Sequence, residues 1–375
     1  MTSVALSSGP IHLGLDVSKD QIAVGILRPE QESPDVERII HDEASVRRLI
    51  DRFPDRGRLK TCYEAGPTGF GLYWLLRSMG VACDVVAPSL IPKAPGDRVK
   101  TDKRDCKRLA RLHRAGQLVA IHVPSPQEEA VRDLCRARAA AVADRTRARH
   151  RLSKFLLRNG RPWRGGEAWT FKHEQWLSGQ HFDDPALRAT YAHYRAMLIG
   201  RDAELAAVEA DLAHWFTHGP FAAAVARLAG YRGVSQLGAL TIASEVGDWK
   251  RFGTARAVMS FAGLVPSEYS SGASTHRGRI TKAGNARLRT QLLESAWSYK
   301  HRPYLSVDLR RRQHGLDPTT VARSWAAQQR LCARFRRLDA RKTSRNVVAV
   351  AIARELAGFL WAEMTADQPP TGSTR

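Results

Sequence analysis

Four carboxylates in the first third of the chain, Asp16, Glu64, Asp102 and Asp105, are of the type and number that hold divalent cations. Asp16 falls in the otherwise apolar run IHLGLDVS, where an unpaired carboxylate is costly unless a cation or a donor meets it. Glu64 ends the run LKTCYE, while Asp102 and Asp105, three apart at the start of a helical pattern, project from one helix face. Such groups converging on two Mg²⁺ about 4 Å apart would prepare an attacking oxygen with one ion and stabilise the leaving oxygen of a phosphodiester with the other. Singly, each has a plainer reading: Asp16-Val17-Ser18 as a turn, Asp102 as a helix N-cap. Their joint occurrence in a strongly basic chain is harder to explain that way.

A second stretch draws notice for the opposite composition. From Ser270 to Arg289, SSGASTHRGRITKAGNARLR is rich in Gly, Ser and Arg and poor in apolar residues. It reads as a loop running into a basic helix start, suited to close approach to a phosphodiester. Ser270, Ser271 and Ser274 are its candidate nucleophiles, although on residue type alone they read as solvated turn residues.

The elements that must position these groups follow from periodicity. Three strands are expected over IHLGLDVS, QIAVGILR and DVERIIHD, then a helix (ASVRRLIDRF), a strand (LKTCYEA), a helix (GFGLYWLLRSMG), a strand (CDVVAP) and a further helix (RDCKRLARLHRAG). Hairpin strands followed by alternating β and α predict a mixed sheet covered by helices. Pro126 to Arg158 reads as one long helix carrying eight arginines, and a Trp/Gly-rich loop (RPWRGGEAW) follows it. Leu187, Tyr191, Tyr194, Leu198, Arg201, Leu205, Val208, Leu212 and Trp215 then recur at alternating spacings of four and three. That is a coiled-coil seam, which either joins two chains into an oligomer or packs on the preceding basic helix. The region 227–298 reads as helical and glycine-punctuated. Its Gly230–Gly233 loop resembles half of a helix-hairpin-helix, whose helix amides hold a phosphate; tight helix packing is nearly as good a reading. An apolar helix, VVAVAIARELAGFLWAEM, closes the chain before a polar tail expected to be disordered.

Charge narrows the function. The formal net charge is +22, and it is concentrated: Arg98–Arg161 carries 18 Lys and Arg against 6 Asp and Glu, and Arg277–Asn346 carries 18 against 4, on a near-neutral remainder. Two basic blocks on such a body are the footprint of polyanion binding, and the Arg bias with nine Trp favours nucleic acid over a membrane surface or an acidic protein. Within the blocks Arg145, Arg149, Arg277, Arg279, Lys282 and Arg287 are the candidate contacts. Five scattered cysteines without CxxC argue against disulfides and zinc. No apolar run reaches the ~18 residues of a membrane span, and the N-terminus lacks signal-peptide character, so a cytoplasmic location is expected.

Three segments, GLDVSKDQIAVGIL, YEAGPTGFGLYWLL and APGDRVKTDKRDCKRLARL, resemble the N-terminal domain of the DEDD transposases, the RuvC-like recombinases of insertion sequence family 110. FAGLVPSEYSSGASTHRGRITKAGNARLR and KTSRNVVAVAIARELAGFLW are similar to that family's second domain, so the likeness spans 11 to 362. It implies an α/β RNase H-like (RuvC-like) catalytic domain over about 1–125, a basic and coiled-coil helical region over 126–222, and a mainly α transposase domain over 223–365 before a tail at 366–375. It also implies that Asp16, Glu64, Asp102 and Asp105 are the acidic quartet for two Mg²⁺, with Mn²⁺ a substitute, and that Ser271 attacks DNA to form a phosphoserine link. Arg277, Arg279 or Lys282 would then neutralise the phosphorane. The partners implied are donor and target DNA and a structured bridge RNA; the coiled-coil seam adds the expectation of further copies of the chain, as a dimer or tetramer. Cys106 stands where a small residue such as Ala is expected. Two other functions fit the same residues: a junction-resolving metal nuclease that uses water, or a non-catalytic nucleic-acid-binding protein whose acids are structural.

Overall fold

The computed structural model describes residues 9–92, 102–271, 274–341 and 344–366, with the side chains of 269–277 left aside. The expected tail beyond 366 lies outside them. The described residues form two compact units, one through Val123 and one from Pro124.

In the first unit, β1 (Ile11–Val17), β2 (Gln21–Leu27), β3 (Asp35–Ile40), α1 (Glu43–Asp51), β4 (Leu59–Glu64), α2 (Gly71–Ser78), β5 (Ala82–Val86) and α3 (Asp102–Arg114) follow in the expected order. The sheet runs β3-β2-β1-β4-β5, with β2 antiparallel to both its neighbours and β1, β4 and β5 mutually parallel. Strand alternation separates two faces. Leu13, Leu15, Val24 and Ile26 go to one face, where Val46, Leu49 and Ile50 of α1 and Leu72 and Leu76 of α2 complete a core. Gly14, Gly25 and Cys62 go to the other, beneath α3, whose Leu109 packs with Cys62 and Val86. This is the mixed sheet covered by helices that the hydrophobic patterning predicts.

The second unit is mainly helical: α4 (Pro126–Arg158), α5 (Phe171–Ser178), α6 (Pro185–His214), α7 (Ala222–Ala229), α8 (Gln236–Val246), α9 (Ala255–Phe261), then β6 (Pro266–Ser271) and β7 (Ser274–Ile280), then α10 (Ala286–Ala296), α11 (Val307–Gln313), α12 (Pro318–Asp339) and α13 (Arg345–Thr365). Three long helices open on a capping residue followed by Pro: Ser125-Pro126, where Ser125 and Glu128 form a capping box, Asp184-Pro185 and Asp317-Pro318. α13 is the central helix, with Val348, Ile352, Ala353, Leu356 and Leu360 buried among α7, α9, α10 and α12. α4 serves two cores, Val131 and Cys135 in this one and Ala148, Leu152 and Phe155 in a second, built with α5 and α6.

One expectation needs correction here, and of the two readings left open for the heptad seam, packing on the preceding helix is the one seen. The stretch 270–289 is not a loop up to its helix: β6 and β7 form an antiparallel hairpin, and the basic helix begins at Ala286 behind the N-cap Asn285. The heptad seam of α6 is covered by α4 of the same chain, with Leu198, Leu205 and Leu212 buried and Phe155 edge-on to Tyr194 at 5.6 Å. The residues between the two helices let the chain return, so α6 meets its neighbouring stripe without a second copy. Among the described residues no helix is long and apolar enough to cross a membrane, and all five cysteines are free and buried.

Candidate active site

Asp16 sits one residue from the end of β1, paired with Ala23 of β2, which pairs in turn with Arg38 of β3. On its other side, the parallel register Leu15↔Tyr63 places Glu64 next to Asp16 at the following step. Arg38, Ala23, Asp16 and Glu64 therefore form one row across the carboxyl end of β1 and β4, all on the face that carries Gly14. In an α/β sheet that edge is where ligands gather.

α3 crosses this face antiparallel to β1. Its first turn lies over the row, and its last turn reaches His12 at the other end of β1, where the Nδ1 atoms of His113 and His12 are 3.4 Å apart. The approach is possible because two strand residues lack side chains. A Cβ on Gly14 would stand 2.4 Å from both the Cys106 carbonyl oxygen and the Ala110 nitrogen, and one on Gly25 would stand 2.7 Å from the same carbonyl. Cys106 is fully buried in this contact, filling the place where a small residue is expected, and burial pushes its thiol up to about 11.

The helix delivers the remaining two acids with different surroundings. Asp105 is buried: one carboxylate oxygen lies 3.5 Å from the Arg108 guanidinium, and Oδ2 is buried with no hydrogen-bond partner. Asp102 is exposed and faces Arg38 at 3.5 Å. Among the described residues no three His, Cys, Asp or Glu side chains are grouped closely enough to hold a metal ion as they stand. The four acids are thus on one face and at one edge, with one oxygen orphaned and one carboxylate turned to an arginine. An orphaned buried carboxylate oxygen is the kind of position that a cation could satisfy, and carboxylate oxygens are the donors a hard divalent ion takes.

Arg38 was not singled out by sequence, although its place in the alternation of β3 marks it as facing the row. The anchor at the far end of α3 is likewise new: His113 Nε2 bonds Asp84 at 3.2 Å, and burial together with the neighbouring His113 holds His12 down to about 4, so it stays neutral.

In the second unit Ser271 is the last residue of β6, paired across the hairpin with Ser274, while Ser270 pairs with Thr275. The side chains of these serines and of Arg277 lie outside the described residues. Arg279 and Lys282 are exposed at the far end of β7 and just beyond it, and Arg287 is exposed in the first turn of α10. The start of α10 is tied to a buried carboxylate: Glu245 accepts a fork from Arg136 of α4 at 2.9 and 3.0 Å and a bond from Asn285 Nδ2 at 2.7 Å. Arg145 and Arg149 lie 3.9 and 3.8 Å from Asp202 of α6, and Arg149 also stacks on Trp169 at 4.9 Å. They are therefore partly engaged inside the helical hairpin.

Comparison with known proteins covers both units. A DEDD transposase model matches residues 13–159, and a model described as "Transposase IS116/IS110/IS902 family" matches 225–308. The chain is 43% identical to "Putative transposase y4qE" of Sinorhizobium fredii over 93% of its own length and 87% of that protein. It is 32% identical to "Transposase for insertion sequence element IS1533" of Leptospira borgpetersenii over 88% of its length and 97% of that protein. The four acids fall inside the first matched span and Ser271 inside the second.

Proposed function

The chain belongs to the IS116/IS110/IS902 family of transposases, and from that membership we propose that it cuts and rejoins DNA with the acidic row of its first unit and Ser271 of its second. A transposase of this family cleaves and exchanges DNA strands and depends on a divalent metal. The finer reading is that Asp16, Glu64, Asp102 and Asp105 hold two Mg²⁺, which would supply charge neutralisation at the reacting phosphate. The observation that carries it is the buried, unpartnered Oδ2 of Asp105 beneath the amino end of α3, beside the Asp16–Glu64 row.

Ser271 Oγ attacks phosphorus, a P–O bond to the departing nucleotide breaks, and a phosphoserine bond forms that conserves the energy needed for rejoining; the hydroxyl proton passes to a base as the bond forms. A hairpin end suits this role because it reaches a phosphate without burying its own backbone. Arg277 lies three residues along β7 from Ser274, whereas Arg279, Lys282 and Arg287 stand at the other end of the hairpin and beyond it, where they would meet flanking phosphates rather than the reacting one. The acids belong to one unit and the serine to the other, so on this reading both units contribute groups to the reaction. A structured bridge RNA is the proposed guide, and further copies of the chain the proposed assembly. The bacterial cytoplasm is the proposed setting.

The test is substitution of the acids. Asp105→Asn and Asp16→Asn keep shape but each removes a ligand charge. Strand cleavage with Mg²⁺ should fall at least about 100-fold in each, while nucleic-acid affinity stays within about twofold, as expected of a change away from phosphate contacts. Full cleavage by either variant would remove the metal reading.

A further inference from the structure

The second unit contains a cleft of about 910 Å³ on the side formed by the amino end of α8, the turn Trp297–Lys300, the chain that follows it, and α11. It is as large as clefts that enclose small ligands, roughly 300–1,000 Å³, and its chemistry is lopsided. Arg232, Lys300, Arg311 and Arg312 line it together with one carboxylate, Asp308, which lies 3.8 Å from Arg311 on the exposed surface. α8, 11 residues long, opens into it behind the N-cap Ser235, so its positive end adds to the field.

One wall is an aromatic platform of unusual construction. Tyr304 is 52% exposed as a residue, and one face of its ring rests on the guanidinium of Arg232 at 4.6 Å. Arg232 is itself only 8% exposed and is fixed from below by the Arg302 carbonyl at 2.8 Å and Gln328 Oε1 at 2.6 Å. The same Gln328 oxygen accepts from the Tyr304 backbone nitrogen at 3.1 Å, so one fully buried amide fixes both the ring's support and its main chain. Arg312 donates to the Val234 carbonyl, fastening the loop before α8 to α11. The result is a rigid ring with a free outer face at the mouth of a basic cleft. The Gly230–Gly233 loop is held by packing: Gln313 and Ser324 both donate to the Gly230 carbonyl, and a Cβ on Gly233 would meet the Ser295 carbonyl at 2.3 Å.

We propose that this cleft binds a single strand of nucleic acid, with an unstacked base on Tyr304 and the adjoining phosphates against Lys300, Arg311 and the amino end of α8. An exposed ring backed by a cation offers a π-face to any base, and cations beside it track the backbone, which is how single strands are held without sequence preference. A duplex keeps its bases stacked on one another and gains nothing from the ring. The site lies outside the acidic row and the serine hairpin, and binding there needs neither metal nor cleavage.

The experiment uses the full chain in EDTA with three labelled probes: a mixed-sequence DNA strand of about 20 nucleotides, the same sequence as RNA, and the DNA duplex. Tyr304→Ala should weaken single-strand binding roughly tenfold while Tyr304→Phe stays within about twofold and the duplex is unaffected. Whether the DNA arm, the RNA arm or both respond identifies the strand. Lys300→Gln with Arg311→Gln should lower the slope of log K against log salt by about 1 to 2. Bromouracil-bearing strands, photo-crosslinked to the unaltered protein and mapped by mass spectrometry, should attach within 297–311. Unchanged single-strand affinity in Tyr304→Ala, equal loss on the duplex, equal loss in Tyr304→Phe, or crosslinks only elsewhere would each overturn the proposal.

Discussion

A carboxylate inside an apolar run has to be answered by something, and Asp16 in β1 was legible in the sequence for that reason. Glu363 obeys the same rule in α13 and was passed over, because its partners are far away in sequence. It is fully buried and accepts from Arg227 at 2.9 Å, Arg323 at 2.6 Å, Thr320 at 2.7 Å and Tyr231 at 3.1 Å. Burial alone would raise its pKa; the bonds from Arg323, Thr320 and Arg227 outweigh that and hold it down to about 2. A carboxylate depressed in the folded state contributes stability that is present above its unfolded pKa and lost as pH falls through the folded value. For Glu363 that window runs from about 4.5 down to about 2 and corresponds to about 3 kcal/mol. Urea unfolding across it should show Glu363→Gln destabilised near neutrality and flatter below. His12, held near 4 in the first unit, also loses stability as the solution acidifies, so the difference between parent and variant isolates Glu363. Equal slopes in parent and variant would refute this account of Glu363.

At the scale of elements, strands and helices of the first unit were readable from their periods, but the closeness of α3 to the sheet was not. It depends on Gly14 and Gly25, and nothing in their neighbours' types announces a helix backbone 2.4 Å from where a Cβ would stand. Gly14→Ala must push α3 away, at a cost of roughly 1–3 kcal/mol, and a shift of about 1 Å in the helix-borne acids should cost cleavage about 100-fold. Gly71→Ala, in α2 with nothing within 4 Å of the added carbon, is the control and should be neutral or slightly stabilising. Denaturant midpoints with a cleavage assay read both; a Gly14→Ala protein with parental stability and cleavage would mean the helix does not depend on that contact. The β6–β7 hairpin was missed because its Gly, Ser and Arg content mimics a loop, although Tyr269, Thr275 and Ile280 are strand formers. For α6 the heptads were plain, yet a stripe does not say which helix covers it. Since α4 does, Leu205→Ala should cost about 2–5 kcal/mol with an unfolding midpoint independent of protein concentration. A midpoint that rose with concentration would instead place the seam between chains.

For the molecule as a whole, charge was the most informative reading, since the two basic blocks contain α3 and α4 in one case and β7, α10, α11 and α12 in the other. What charge could not convey is how much of it is spent internally: Arg136 on Glu245, Arg138 on Glu209, and Arg227 and Arg323 on Glu363 are structural. Nor does sequence reveal that α4 belongs to two cores of the second unit, because its burial depends on α6 and α8, many residues later. The central claim joins the two units in one reaction: acids from the first and a serine from the second act on the same phosphate. Denaturing electrophoresis of labelled DNA carrying the element's ends, incubated with Mg²⁺ and protein purified from cells that hold the whole element, tests it in one gel. The parent, Ser270→Ala and Ser274→Ala should cut and leave a protein–DNA adduct that survives denaturation, whereas Ser271→Ala and Asp105→Asn should give neither cut nor adduct. Cleavage at the parental level by Ser271→Ala, or an adduct formed by Asp105→Asn, would contradict the account.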